Sequence, residues 1–217
     1  MHSERMQDRQ RLHTAPARLI ERLHQQGIPR GVILDAIRYV PRDAFVSPDL
    51  SEVAWENRPL DIGEGQTISQ PYTVGFMLQL AAVAASDRVL EVGAGSGYVL
   101  ALLSYIVGDP KLVTGVERNE ILCEQTRGRL RELGLDRVRL MCGDGREGCR
   151  QHAPYDAIIV SAQTESIPPQ LTDQLAPGGR LVIPVDVGSY AAMTRVVRGP
   201  DGLVQTRHGA FQFVPLV

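Results

Sequence analysis

The chain has 217 residues, 43% of them apolar and 22% charged, and its 23 Lys and Arg against 25 Asp and Glu leave a formal net charge of −2. That length suits one full α/β domain with a sizeable core, while the near-neutral balance gives no electrostatic case for a nucleic-acid partner. No apolar run approaches the roughly 20 residues of a membrane span.

The first twelve residues are polar and charged, so no secretory signal is read there. Arg5, Arg9, Arg11, Arg18 and Arg22 are interleaved with acids and polar residues, as on a solvated helix face. Pro16 to Gln26 carries Leu and Ile at helical spacing and closes on Gly27; a second helix runs from about Gly31 to Tyr39 and stops before Pro41. Arg42 to Gln70 is irregular, with Phe45 and Trp55 as anchors, and an apolar helix then reaches from Pro71 to about Ala84. Strands follow at Val89, Leu112–Val116, Val138–Cys142, Ala157–Val160 and, after the turn 177–179, Arg180–Ile183. Two last strands, Met193–Val197 and Phe211–Val217, flank the turn 199–202. The expectation is an α/β fold with one domain over 1–217, helices and a lid over 1–70 and a cofactor-binding core over 71–217. Cys123, Cys142 and Cys149 are odd in number and lack metal spacing, and the five histidines are scattered. Free thiols, Cys142 acting as a small hydrophobe in a core strand, no metal, and a cytoplasmic protein are expected.

The most informative stretch is Val89-Leu-Glu-Val-Gly-Ala-Gly-Ser-Gly-Tyr98. It reads as a buried parallel strand, a tight turn and a helix start. Gly93, Gly95 and Gly97 allow positive φ and close approach of a ligand to bare backbone, as in the nucleotide cradle of a doubly wound sheet. A dinucleotide fingerprint would place its third glycine later, and Tyr98 would crowd a pyrophosphate at the helix N-terminus. A nicotinamide dehydrogenase is therefore disfavoured. With Glu91, the E-x-G-x-G-x-G form resembles motif I of class I S-adenosylmethionine (SAM) methyltransferases. Glu117, twenty positions beyond Gly97, ends the next strand, where an acid can accept from both ribose hydroxyls. Asp144 ends the third strand, where a carboxylate can receive the exocyclic amine of adenine. Singly, each acid reads equally well as a surface turn residue; with the glycine turn, three strand ends agree.

The stretch Gly65-Gln-Thr-Ile-Ser-Gln-Pro-Tyr72 feeds the apolar helix, and locally Ser69 reads first as a helix cap. The same stretch closely resembles the signature of the protein-L-isoaspartate O-methyltransferase family. Leu34 to Val46 (with its Val-Pro-Arg exit), Gly143-Asp-Gly145, Pro154 to Val160, Gln174 to Val185 and Phe213 to Leu216 fall in that family's order. The resemblance implies a Rossmann-like, mostly parallel seven-stranded sheet with its final strands reordered. It implies Ser69 as the active-site residue, with Gln70, Pro71, Tyr72 and Thr73 enclosing the cofactor. Glu91, Gly93, Gly95, Gly97, Glu117, Asp144 and Gly145 complete the cofactor set.

The implied reaction is methyl transfer from SAM to the α-carboxylate of isoaspartyl residues in peptides and proteins, leaving S-adenosylhomocysteine. A carboxylate needs no general base at neutral pH, in keeping with a loop that has no His or Lys. A monomer is expected. Gln163, Thr164, Glu165 and Asp186 depart from the family's small residues, and the chain ends without the family's usual tail. A methyltransferase retuned to an aspartate of one dedicated peptide is therefore the alternative, and a SAM-fold interaction module that no longer catalyses comes third.

Overall fold

In a computed structural model, which describes residues 15–216, the alternation that starts at Val89 builds one sheet. Before it come helices α1 (Ala17–Gln25) and α2 (Val32–Tyr39), the 3-10 turns Arg42–Phe45 and Pro48–Val53, and a hairpin of β1 (Leu60–Gly63) and β2 (Gln66–Ile68). Then follow α3 (Pro71–Ala81), β3 (Val89–Val92), α4 (Tyr98–Val107), β4 (Val113–Glu117), α5 (Glu120–Glu132) and β5 (Arg139–Cys142). The chain closes with β6 (Tyr155–Val160), α6 (Pro169–Asp173), β7 (Leu175–Asp186), β8 (Ala191–Gly199) and β9 (Gly202–Phe211). The seven main strands lie in the order β5-β4-β3-β6-β7-β8-β9. Neighbours from β5 to β7 are parallel, and β7-β8-β9 is an antiparallel meander at one edge. The architecture is the doubly wound, mostly parallel seven-stranded sheet expected from the sequence.

All four residues of β3 are buried because both faces of the sheet are covered. One cluster of buried side chains runs from Leu19 on α1 through Leu34, Phe45 and Leu78 to Val89 and Val182 on the sheet. A second, with Leu90, Val92, Ile158 and Leu181, fills the opposite face. Helix α3 ends at Ala81, short of the expected Ala84, where Ala82 turns left-handed at φ 48°. Its orphan C-terminal carbonyls are taken by arginines from the sheet: Arg180 Nε donates to Ala81 O at 2.8 Å, and Arg195 Nε to Leu80 O at 2.9 Å. These bonds fix the helix whose other end follows the loop of Ser69. No described helix is long and apolar enough to cross a membrane.

Four expectations are corrected. The 42–70 stretch contains the β1–β2 hairpin, which its polar composition hides. β7 starts at Leu175 and runs through the 177–179 turn, with a register shift opposite Tyr155 and Ala157. The last strand is Gly202–Phe211, not Phe211–Val217; it is an edge strand, mostly exposed, so it lacks the alternation that marks a half-buried strand. Finally, Cys142 is not a core thiol. It lies exposed on edge strand β5 and forms a disulfide with Cys123 of α5, Cα atoms 5.9 Å apart, which leaves Cys149 as the buried free cysteine among the described residues. Strand order, invisible in the sequence, puts β5 at the edge and brings its end against α5. The expectations for the first fourteen residues, including Arg5, Arg9 and Arg11, lie outside the described residues, whereas Arg18 and Arg22 are exposed on α1 as expected.

Candidate active site

From β3 the chain steps outward to β4 and β5, then returns to place β6 on the other side of β3. Strand ends diverge at such a reversal and leave a crevice at the carboxyl edge. The glycine turn sits there, tied to β4 by Gly93 N and Ala94 N, which donate to Val116 O at 2.9 and 3.1 Å. Gly97 is the N-cap of α4 with φ 87°, and a Cβ on it would stand 2.7 Å from Thr126 Cγ2. Thr126 itself is fully buried and donates its hydroxyl to Gly95 O at 2.6 Å. Helix α5 therefore packs directly on the turn, and only a bare backbone fits between them.

Glu117, buried at the end of β4, accepts from Gly95 N at 2.7 Å and Asn119 N at 2.9 Å. A carboxylate has about four acceptor sites, so two remain for vicinal hydroxyls. Glu91 is 1% exposed; its Oε1 accepts from the Ser161 hydroxyl at 2.9 Å, while the buried Oε2 has no partner. Burial, assisted by nearby Glu117, pushes its pKa well above the usual carboxylate range, against the lowering effect of the Ser161 bond. An unpaired buried polar atom is costly, and Glu91 is among the residues lining the cavity at this edge. Asp144 accepts from Arg146 Nε at 3.0 Å and from its terminal nitrogen at 2.6 Å, a pairing that lowers its pKa.

A cavity of about 300 Å³ gathers Ser69, Glu91, Gly93, Gly95, Glu117 and Gly145, a size at the lower end for small-molecule sites. A Cβ on Gly145 would collide with Val92 Cγ1. Of the other candidates, Gly97 lies behind the turn under Thr126, and the Asp144 carboxylate pairs with Arg146 beside Gly145. Gln70, Tyr72 and Thr73 line a second, adjoining cavity with Tyr190, Phe211 and Phe213. Pro71 is buried in the first turn of α3. Thr67, Ser69, Ser161 and Val214 line both cavities.

Ser69 is not the cap of α3. Gln70 holds that position, and the Tyr72 amide is satisfied from a distance by Asn57 Oδ1 at 3.0 Å. Sequence reasoning missed Ser96, Asn119, Ser161 and the segment Val214–Leu216, all of which line the first cavity. Ser161 could have been found as the first residue beyond β6, the same edge position that drew attention to Glu117. The 214–216 segment is held by the departures after β6: Gln163 N donates to Val214 O at 2.8 Å and Leu216 N to Gln163 O at 2.7 Å. Thr164 N donates to Pro184 O at 3.0 Å and Thr164 O accepts from Asp186 N at 2.7 Å, while Asp186 Oδ1 accepts from Gly188 N in the next turn. These residues stitch the tail to the sheet, and neither Gln163 nor Thr164 lines the two cavities.

The profile of the protein-L-isoaspartate(D-aspartate) O-methyltransferase family matches residues 14–217. The chain is 45% identical over 201 residues to a protein-L-isoaspartate O-methyltransferase from Pseudomonas fluorescens, covering 92% of this chain and 94% of that one. It is 47% identical over 199 residues to protein-L-isoaspartate O-methyltransferase 2 from Pelobacter propionicus, covering 91% and 87%. Among solved structures, a protein-L-isoaspartate O-methyltransferase superposes with a TM-score of 0.82 at 28% identity; the match takes in 91% of this chain and 64% of that longer one.

Proposed function

The chain belongs to the protein-L-isoaspartate(D-aspartate) O-methyltransferase family, and from that membership we propose which of its residues carry the reaction. It is a SAM-dependent enzyme that methylates the α-carboxylate of L-isoaspartyl residues in proteins, from which repair proceeds through a succinimide. When bound, SAM supplies an electrophilic methyl group on a sulfonium. The residues fit such a donor. Glu117 offers two free acceptor sites at the ribose position, the bare turn at Gly93 and Gly95 admits the nucleoside, and Glu91 Oε2 lacks a partner that a cationic amino group can supply. Gly145 lets its turn pack against Val92 at the wall of the cavity, and Asp144 stands beside it as the acceptor for the exocyclic amine.

The observation that carries the catalytic assignment is the position of Ser69 on the wall common to both cavities. A methyl group passing from one cavity to the other crosses that window. The substrate carboxylate is already ionised, so the protein's task is alignment, an effect that can reach about 7–11 kcal/mol. Ser69 donates to the carboxylate and holds one oxygen in line with the methyl. Burial assists, because the carboxylate and the sulfonium neutralise each other as they react. The second cavity, with Tyr72, Tyr190, Phe211 and Phe213, receives the flanking peptide. Within one domain, the described residues up to 70 supply the helices and lid, and those from 71 onward the donor-binding core. The structural use made of Gln163 and Thr164 supports a general isoaspartyl substrate over one dedicated peptide.

Ser69→Ala tests the assignment. It removes one hydrogen bond to a charged group, a loss of about 1.5–3 kcal/mol, or roughly 10–150-fold in methyl transfer to an isoaspartyl peptide. SAM affinity should stay within twofold. Unchanged transfer would remove Ser69 from the mechanism.

A further inference from the structure

Arg42 leads the 3-10 turn Arg42–Phe45 and is fully buried. Its guanidinium donates to the main-chain carbonyls of Ala54, of Arg58 at 3.2 Å and of Ser69 at 3.1 Å. Those carbonyls come from the end of the second 3-10 turn, the entry to the β1–β2 hairpin, and the loop before α3; the last two are also joined by the β1–β2 pairing and by Asn57, which accepts from Gln70 Nε2 and from the Tyr72 amide. The guanidinium carbon also lies 5.9 Å from the centre of the Tyr98 ring, at the start of α4. Among the described residues Arg42 forms no ion pair. Burial pulls its pKa down to about 10, so it remains charged at neutral pH.

A buried cation with no ion pair among the described residues is an expensive way to tie down a loop. Its geometry shows what it gains. The planar fork of donors serves diverging acceptors from one rigid group, and one of them is the carbonyl of Ser69. Because the peptide unit is planar, fixing that oxygen restricts the backbone torsions on which the direction of the Ser69 side chain depends.

We propose that Arg42 is a positioning residue for methyl transfer: it clamps the Ser69 carbonyl to Ala54 and Arg58 and so holds the Ser69 hydroxyl at the window between the two cavities. The inference rests on the reading of Ser69 as the seat of the substrate carboxylate. Arg42 lines neither of those cavities; its hydrogen bond reaches their common wall at Ser69, and its ring contact reaches the first cavity at Tyr98. A lid brace with no catalytic consequence would instead weaken donor and peptide binding together.

The test uses Arg42→Lys, Arg42→Gln, Ser69→Ala and the double variant Arg42→Lys/Ser69→Ala, each checked for a cooperative thermal transition. Lys keeps the charge and loses the planar fork. Expected for folded Arg42→Lys are a SAM Kd within threefold of the parent and a 10- to 100-fold fall in kcat/KM for an isoaspartyl peptide. The double variant should be no more than threefold worse than Ser69→Ala, since both changes remove one function. A kcat/KM within threefold of the parent in folded Arg42→Lys overturns the proposal, as does a parallel loss of SAM affinity or a multiplicative loss in the double variant. If Arg42→Lys does not fold, Arg42→Gln carries the same comparison; failure of both makes Arg42 a requirement of the fold and also overturns it. Full activity in Ser69→Ala is a separate result, which removes the Ser69 reading first and this inference with it.

Discussion

Replacing Gly97 by alanine tests how closely the donor turn is bound to the helix behind it. At φ 87° the backbone is left-handed, a conformation that costs a residue with a Cβ about 1–2 kcal/mol. The new methyl would also stand 2.7 Å from Thr126 Cγ2. Thr126 cannot swing aside freely, because it is β-branched and stiff at χ1 and its hydroxyl is bonded to Gly95 O at 2.6 Å. Overpacking of this kind costs about 1–3 kcal/mol. The sum is about 2–5 kcal/mol, or a fall in Tm of roughly 4–20 °C for a chain of this size. Any relaxation that breaks the Thr126 bond also moves Gly95, whose amide holds Glu117, so SAM affinity should fall as well. Thermal unfolding and titration calorimetry measure the two effects. The decisive control is Gly97→Ala/Thr126→Ser, which removes the offending methyl and keeps the hydroxyl. It should recover the overpacking share of about 1–3 kcal/mol and leave the backbone share. A loss below about 1 kcal/mol in the single variant, against the 1–2 kcal/mol of backbone strain alone, or no recovery in the double, would refute the reasoning.

Two further outcomes are expected. Glu91 has its pKa raised in the free protein, so the stability of its neutral form is complete below the ordinary carboxylate pKa and is lost as pH rises through the raised value. A cationic donor favours the ionised form; binding should release a proton, and affinity should climb with pH until free Glu91 ionises. Glu91→Gln should flatten that climb, and calorimetry in buffers of different ionisation enthalpy counts the protons; none released by the parent protein would contradict the role. Reducing the Cys123–Cys142 disulfide opens a loop spanning a sequence separation of 19, worth about 3 kcal/mol by chain entropy. Thermal melts with and without a dithiol reductant should differ by roughly 6–12 °C; coincident melts would show that the bond contributes nothing to stability.

The residues proposed for the donor were readable in the sequence because they are local. Gly93, Gly95 and Gly97 fall within one turn, Glu117 ends β4 and Asp144 lies two residues beyond β5, so spacing along the chain stands in for proximity in space. The doubly wound fold was legible for the same reason, since parallel strands separated by helices leave a clear alternation. Ser161 was missed because its role comes from one bond to Glu91, seventy residues away. The final strand was misplaced because an exposed edge needs no apolar pattern. Cys142 was misjudged because no pattern tells an edge strand from a central one.

By itself the sequence determined the glycine turn, the acids at or just beyond the strand ends and the alternation that makes the sheet. These follow from backbone sterics and periodicity, which act over a few residues. Only the tertiary structure decided that Ser69 lines two adjoining cavities, that Arg42 holds its carbonyl from 27 positions away, and that the 214–216 segment lines the first of them. Those facts depend on which strand lies beside which, and strand order is set by packing over the whole chain.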